Sequence, residues 1–220
     1  VASKLAFFDL DGTLVSSNVI HQYNWYARAS GDFKRRLRLA CDLPRLGWLE
    51  LNSRRRFNEA FFRHYAGFRQ SWLVENAPLL FRELLQPALY PGAPLLVEKN
   101  RHDGFLTVLL TGSLDFAVQP LAELLHFDRV VSNRLIFENG IATGQLVPPI
   151  VAEAEKVRAM KAIIAEMDAS TSHCRAYSDS ASDLPMLEAA GNPTAVNPSN
   201  KLRRIALNRS WRILDLKAPE

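Results

Sequence analysis

Two cysteines in 220 residues, Cys41 and Cys174, are too few and too far apart for a disulfide framework or a thiolate metal site. They read as reduced, semi-buried thiols of a cytoplasmic protein. No uninterrupted apolar run is long enough to span a bilayer, so no stable membrane insertion is expected. The first residues run straight into a strand-like segment and lack the layout of a signal peptide. A large excess of one charge is missing too. Lys and Arg total 27 against 23 Asp and Glu, a formal charge of +4. That balance suits an anionic small molecule and does not call for nucleic acid. Aromatic residues and arginines do not alternate along a strand, so a platform for single-stranded nucleic acid is not expected either. Internal repeats and low-complexity tracts are absent.

What is present is a globular composition, 48% hydrophobic and 10% aromatic. A chain of this length can bury a substantial core, as one domain or as one domain with a large insertion. Residues 5–10 form a short apolar run that ends at Asp11-Gly12, which predicts a buried strand. Strand patterning then vanishes until about residue 89. Segments 24–29, 32–39, 53–65 and 72–85 carry apolar residues at helical spacing, such as Phe57, Phe61 and Tyr65. Gly31, Gly47 and Gly67 punctuate them, and Pro78 should start or kink the last.

After Tyr90-Pro91-Gly92 strands and helices alternate. Strands are expected at 106–110, 129–131, 174–178 and 194–196, and helices at 116–125, 154–167 and 184–190. Segments 134–137 and 141–146 flank Glu138-Asn139-Gly140, a hairpin signal. Such alternation predicts an α/β fold, a parallel sheet covered by helices on both faces. Residues 1–16 and 90–220 would form this core, and residues 17–89 a helical cap inserted after the first strand.

Candidate chemistry lies where strands end, which is where open α/β sheets bind ligands. Asp9 and Asp11 follow the first strand, Thr111 the second, and Asp179 and Asp183 the strand at 174–178. Carboxylates gathered at one edge repel each other unless a cation neutralises them. Oxygen ligands with phosphate nearby point to Mg²⁺. Taken singly, each residue has an ordinary reading. An Asp after a strand often caps a helix or closes a turn, and Lys156 alone would be a solvated helix charge. Their combination, in this order, is what carries the inference.

Phe7-Phe8-Asp9-Leu10-Asp11-Gly12-Thr13-Leu14 resembles the first signature of the haloacid-dehalogenase superfamily of phosphohydrolases. Leu109-Leu110-Thr111-Gly112-Ser113 resembles the second, and Lys156 stands where the third places its lysine, with Lys161 as the other candidate. Tyr177-Ser178-Asp179-Ser180-Ala181-Ser182-Asp183-Leu184-Pro185 resembles the fourth. The stretch from Thr111 to Val118, and Ser132-Asn133-Arg134-Leu135 followed by Gly140 and Thr143-Gly144, are similar to the phosphoserine phosphatase branch. The resemblance implies a Rossmann-like three-layer core with a helical-bundle cap of type C1. It implies that Asp9 attacks phosphorus and that Asp11 serves as acid and then base. It also implies that Asp9, the Asp11 carbonyl and Asp179 hold Mg²⁺ while Asp183 orients water on it. Thr111 and Lys156 would hold phosphoryl oxygens, and Gly12 and Gly112 would let backbone approach the phosphate.

One departure bears on substrate. Where phosphoserine phosphatases carry a glutamate that meets the substrate amino group, Asn18 stands here. Substrate selection is expected in the cap, from Asn18, His21, Gln22, Tyr23, Trp25 and one of Arg54, Arg55, Arg56 and Arg63, with Arg55 put forward. The expected activity is Mg²⁺-dependent hydrolysis of a small phosphorylated metabolite of the phosphoserine-like class. The alternatives are a phospholipid-derived head group or lysophospholipid, transfer to an acceptor alcohol, and a binding module without catalysis.

Overall fold

The computed structural model of the protein describes residues 3–217, so the expected core's extreme ends, 1–2 and 218–220, lie outside the described residues. The chain begins with β1 (Lys4–Phe8) and then makes five helices: α1 (Val19–Ala29), α2 (Phe33–Asn52), α3 (Arg54–Phe61), α4 (Gln70–Glu75) and α5 (Ala77–Leu80). It continues through α6 (Ala93–His102), β2 (Phe105–Leu114), α7 (Asp115–Leu124) and β3 (Arg129–Asn133). A hairpin of β4 (Leu135–Glu138) and β5 (Ile141–Leu146) follows. The remainder is α8 (Ala154–Glu166), β6 (Cys174–Ser178), α9 (Leu184–Ala189), β7 (Asn192–Val196), α10 (Asn200–Asn208) and β8 (Arg212–Leu214).

Six strands form one parallel sheet in the order β3-β2-β1-β6-β7-β8. Phe8 is in register with Leu109 of β2 and Tyr177 of β6, so three strands end level with one another beside Asp9. Side chains of β1 alternate between faces, as a strand requires. Leu5 and Phe7 pack with Met160 and Ile163 of α8, Leu187 of α9 and Leu202 of α10. Ala6 and Phe8 pack on the opposite face with Val97 of α6 and Val118 and Leu121 of α7. These are the three layers expected from the sequence.

The helices inserted after β1 surround a third core built on aromatic rings, including Tyr23, Tyr26, Phe57, Phe61 and Tyr65. The rings meet edge to face, as their quadrupoles favour, with Tyr23 and Tyr65 at 5.0 Å and 70°. This core is not confined to the insertion. Leu114 and Ala117 close it from below, and Leu135, Ala142 and Leu146 of the hairpin close its side. Backbone bonds reinforce that contact: Gly67 N–H donates to Ala142 O, Ala142 N–H to Phe68 O and Gln70 N–H to Gly140 O, all at 2.8 Å. The two connectors also pair, Ser16 N–H to Ala88 O at 2.8 Å and Tyr90 N–H to Leu14 O at 2.9 Å.

Several boundaries differ from the sequence expectation. α1 starts at Val19 because the Asn18 side chain caps it, accepting from Ile20 and His21 N–H at 3.0 and 3.1 Å. α2 runs on past 39 through Pro44 and Gly47, because Leu39 and Leu46 keep an inward stripe at helical spacing. Segment 72–85 breaks into α4, α5 and a π-helical turn over Phe81–Leu85, with Pro78 in the first turn of α5. α6, α10 and β8 have no counterpart in the expectation. Cys174 is buried, but Cys41 is exposed on α2 rather than semi-buried.

Candidate active site

Asp9 leaves the end of β1 with its N–H donating to Tyr177 O at 3.0 Å, which anchors it between β1 and β6. Its carboxylate is buried. Lys156 Nζ donates to Oδ1 at 2.6 Å and Thr13 Oγ1 to Oδ2 at 3.1 Å. Burial pushes the Asp9 carboxyl above the usual range, Lys156 opposes that, and Asp183 adds to it. Lys156 reaches the site from α8 and also donates to Asp183 Oδ2 at 2.8 Å. Burial alone would lower its pKa, but Asp183 and Asp9 outweigh it and hold the ammonium above the ordinary lysine value. Lys161 is exposed, so the choice between the two lysines falls on Lys156.

Asp11 has partners of a different kind. Ser113 Oγ donates to Oδ2 at 2.7 Å, and Gln22 Nε2 lies 3.4 Å from Oδ1. Gln22 also donates to Ser113 at 3.0 Å, so a cap residue completes the network. Burial and the Asp9 charge push the Asp11 carboxyl up to about 7, with Ser113 holding it down in part.

Asp179 follows β6. Its N–H donates to Thr13 Oγ1 at 3.0 Å, and Thr13 Oγ1 lies 3.3 Å from Asp179 Oδ1. One buried hydroxyl thus links Asp9 and Asp179. Burial, Asp9 and Asp183 push Asp179 up to about 8. Gly12 makes this approach possible. Its φ is +85°, and a Cβ there would sit 2.4 Å from Asp179 Oδ2. Asp183 is tied by Lys156 and by Ser178 Oγ at 2.8 Å.

These groups line a cavity of about 240 Å³, whose outer wall is Ser17, Asn18, Glu50, Arg54 and Glu153. Of the expected residues, Asp9, Asp11, Gly12, Asn18, Gly112, Lys156, Asp179 and Asp183 all border it. Thr111 does not. It is fully buried behind Gly112, and its Oγ1 accepts from Ser113 N–H at 3.1 Å. Arg55 is a correction: it points outward and pairs with Glu59 at 3.0 Å. Successive helical residues lie about 100° apart, so α3 can aim only one of its leading arginines inward. That residue is Arg54, ion-paired to Glu50, with its N–H on Glu153 Oε1 at 2.7 Å. Thr13 and Ser113 stand inside the quoted motifs, yet the links of Thr13 to Asp179 and of Ser113 to Asp11 exist only across strands. Ser17 Oγ and both polar atoms of the Asn58 side chain are buried without a protein partner among the described residues.

The donor set fits a hard divalent cation. Burial and the Asp9 charge raise Asp179, Thr13 Oγ1 bridges the two carboxylates, and Lys156 is the buried cation between Asp9 and Asp183. Among the described residues no three His, Cys, Asp or Glu side chains converge as a ready-made metal cage. The fit therefore rests on oxygen chemistry and charge, which suit Mg²⁺.

Residues 6–188 match the family model of the haloacid dehalogenase-like hydrolases. The chain is 33% identical to the inhibition of morphological differentiation protein of Streptomyces azureus, over 97% of this chain and 79% of that one. It is 24% identical to a histidinol-phosphatase of Neisseria meningitidis, over 97% and 99% of the two chains. Among solved structures, a Bordetella pertussis protein of unknown function superposes with a TM-score of 0.86 at 25% identity, over 98% of this chain and 100% of that one. A phospho-aspartyl intermediate analogue of phosphoserine phosphatase superposes at 0.71 with 19% identity, over 100% and 96%. The chain belongs to the haloacid dehalogenase-like hydrolases. Within that family it is similar to a phosphoserine phosphatase of Mycobacterium tuberculosis, 30% identical over 92% of this chain and 46% of that one.

Proposed function

We propose that the protein hydrolyses the phosphate monoester of a small polar metabolite, with Asp9 as the nucleophile and Asp11 as the acid and base. The observation that carries this is the contrast between the two carboxyls. Asp9 is bonded by an ammonium, which favours its charged form, whereas Asp11 is bonded by a hydroxyl and an amide and sits near 7. Burial raises both carboxyls, but their partners differ, an ammonium on Asp9 and neutral donors on Asp11, and that difference supports dividing them into nucleophile and proton carrier.

An Asp9 oxygen would attack phosphorus as the bond to the leaving oxygen breaks, and Asp11 would give that oxygen its proton. Water would then attack the aspartyl-phosphate while Asp11 takes a proton back, releasing phosphate and regenerating Asp9. Lys156 neutralises charge on Asp9 and would do so on the phosphoryl oxygens beside it. Asp9, the Asp11 carbonyl and Asp179 would hold Mg²⁺, which when bound supplies electrostatic stabilisation of the transferred group, and Asp183 would order water near it. Thr111, behind Gly112, would shape the phosphate loop through the Ser113 amide.

Residues 17–89 are taken as the substrate-reading unit on a core of 1–16 and 90–220. The cavity is small and polar, and Arg54 and Glu50 offer both charges at its outer wall. A compact ester carrying a charged group suits it, and Asn18 and Ser17 supply neutral polar contacts. The test is a panel of phosphorylated metabolites with Mg²⁺, including the phosphates of serine and histidinol. Fluoroberyllate trapping on Asp9 and the Asp9→Asn variant go alongside it. Asp9→Asn should fold normally and lose turnover. More than a small residual kcat would refute the assignment. Added alcohols that divert the phosphoryl group would make the enzyme a transferase.

A further inference from the structure

We infer that α2 is a docking surface for an anionic lipid bilayer, on which the cap lies without crossing. The inference does not rest on the phosphatase reading. Phe33, Leu37, Ala40, Pro44, Trp48 and Leu51 follow one another at helical spacings of three and four, so they share one face of α2. That face is opposite Leu39 and Leu46, the buried residues of the helix. It is open: Phe33 is 67% exposed, Leu37 52%, Trp48 60% and Leu51 88%. Among the described residues, five of the ten exposed large hydrophobics are on this single helix, the fifth being Leu43. Scattered apolar residues need no explanation, but a continuous stripe of them marks an interaction surface.

Charge selects the occupant. Lys34, Arg38 and Arg45 run along one border of the stripe and Arg36 along the other, all exposed. The two acids of α2 are both ion-paired. Asp42 pairs with His64 at 3.1 Å and with Arg45 at 3.4 Å, and Glu50 pairs with Arg54 in the active-site wall. Arg35 is taken inward, donating to Ala66 O at 3.0 Å over the Phe68 ring. An outward face with Phe, Leu and Trp along its middle, cations beside it and both of the helix's acids held in ion pairs is the pattern of a helix lying in a bilayer interface. A second copy of the same face would set these cations against each other. The cations would instead meet anionic headgroups. No helix among the described residues is long and apolar enough to cross a membrane, so the contact would be peripheral. Glu50 belongs to both α2 and the cavity wall, so docking would hold the cavity mouth close to the lipid surface.

The test is co-sedimentation of the full chain with vesicles of equimolar phosphatidylcholine and phosphatidylglycerol, and with phosphatidylcholine alone. Wild type should bind the anionic vesicles, bind the neutral ones far less, and release in high salt. The triple variant Phe33→Ser, Leu37→Gln, Leu51→Gln should weaken binding by more than about tenfold, given the apolar area removed. Its circular dichroism and p-nitrophenyl phosphatase activity should stay at wild-type level. A second variant, Arg36→Glu with Arg38→Glu, should lose preference for the anionic vesicles. Two results would overturn the proposal. One is no binding of wild type to anionic vesicles. The other is a dimer in sedimentation velocity that the triple variant dissociates, which would make the face an interface between copies.

Discussion

Ser113 distinguishes the two carboxyls proposed to act in catalysis, because its hydroxyl donates to Asp11 and not to Asp9. The bond stabilises the Asp11 carboxylate and so holds its pKa down. In the proposed mechanism Asp11 carries the proton that releases the leaving group, so activity should fall as pH rises through that pKa. Ser113→Ala removes the bond, and the alkaline limb of the kcat/KM profile should move to higher pH. An unmoved limb would show that Asp11 is not the acid it reports. A second pair of residues gives a contrast inside one helix. Arg54→Ala should raise KM for the best substrate of the panel several-fold, and Arg55→Ala should leave it alone, because only Arg54 borders the cavity. Equal effects from the two would remove Arg54 from substrate binding.

The hairpin and the cap act as one element where segment 67–70 lies along β5. Gly144 sits at that seam with φ +81°, and a Cβ there would come within 2.9 Å of Arg63 Cα and O. Gly144→Ala should therefore destabilise the fold by about 1–3 kcal/mol, read as a lower urea midpoint, with strain and clash both contributing. An unchanged midpoint would mean that the seam yields freely. This seam also marks how far the sequence could be read. The strand-end motifs are local, so chain order and strand patterning brought Asp9, Asp11, Thr111, Asp179 and Asp183 to one sheet edge, and only the resemblance to the family signatures gave them roles. The hairpin was legible from Asn139-Gly140. That it would grip the cap was not, because the bonds from 67–70 to 140–142 join segments with no shared pattern. Arg54 was hidden among three consecutive arginines, since helix phase is set by packing of Phe57 and Phe61 and not by charge. α2 was cut short at 39 because Pro44 and Gly47 are poor helix residues, and tertiary burial of Leu46 overrode them.

Across the whole molecule, the clustered carboxyls tie stability to pH. Asp179 and Asp11 move from 3.8 toward about 8 and about 7 in the fold. A carboxyl raised in this way favours the folded state fully below its unfolded pKa, and that contribution is lost as pH rises through the folded value. The metal-free protein should thus lose the contribution of these groups between about pH 4 and pH 8. Mg²⁺ would offset the repulsion, so the Tm difference between Mg²⁺ and EDTA should widen from pH 5 to pH 8. A difference independent of pH would count against a carboxylate metal site here.

The hairpin's place under the cap also sets an order on synthesis. A ribosome that has delivered residues 1 to 125 has already made every cap helix, yet Leu135, Ala142 and Leu146 are still to come. Until then the aromatic cluster of Tyr23, Phe57, Phe61 and Tyr65 lacks one wall, and β1 lacks its neighbour β6. Nascent chains halted at that length should be the aggregation-prone, chaperone-bound species of this protein, and chains extended past residue 178, with both the hairpin and β6 delivered, much less so.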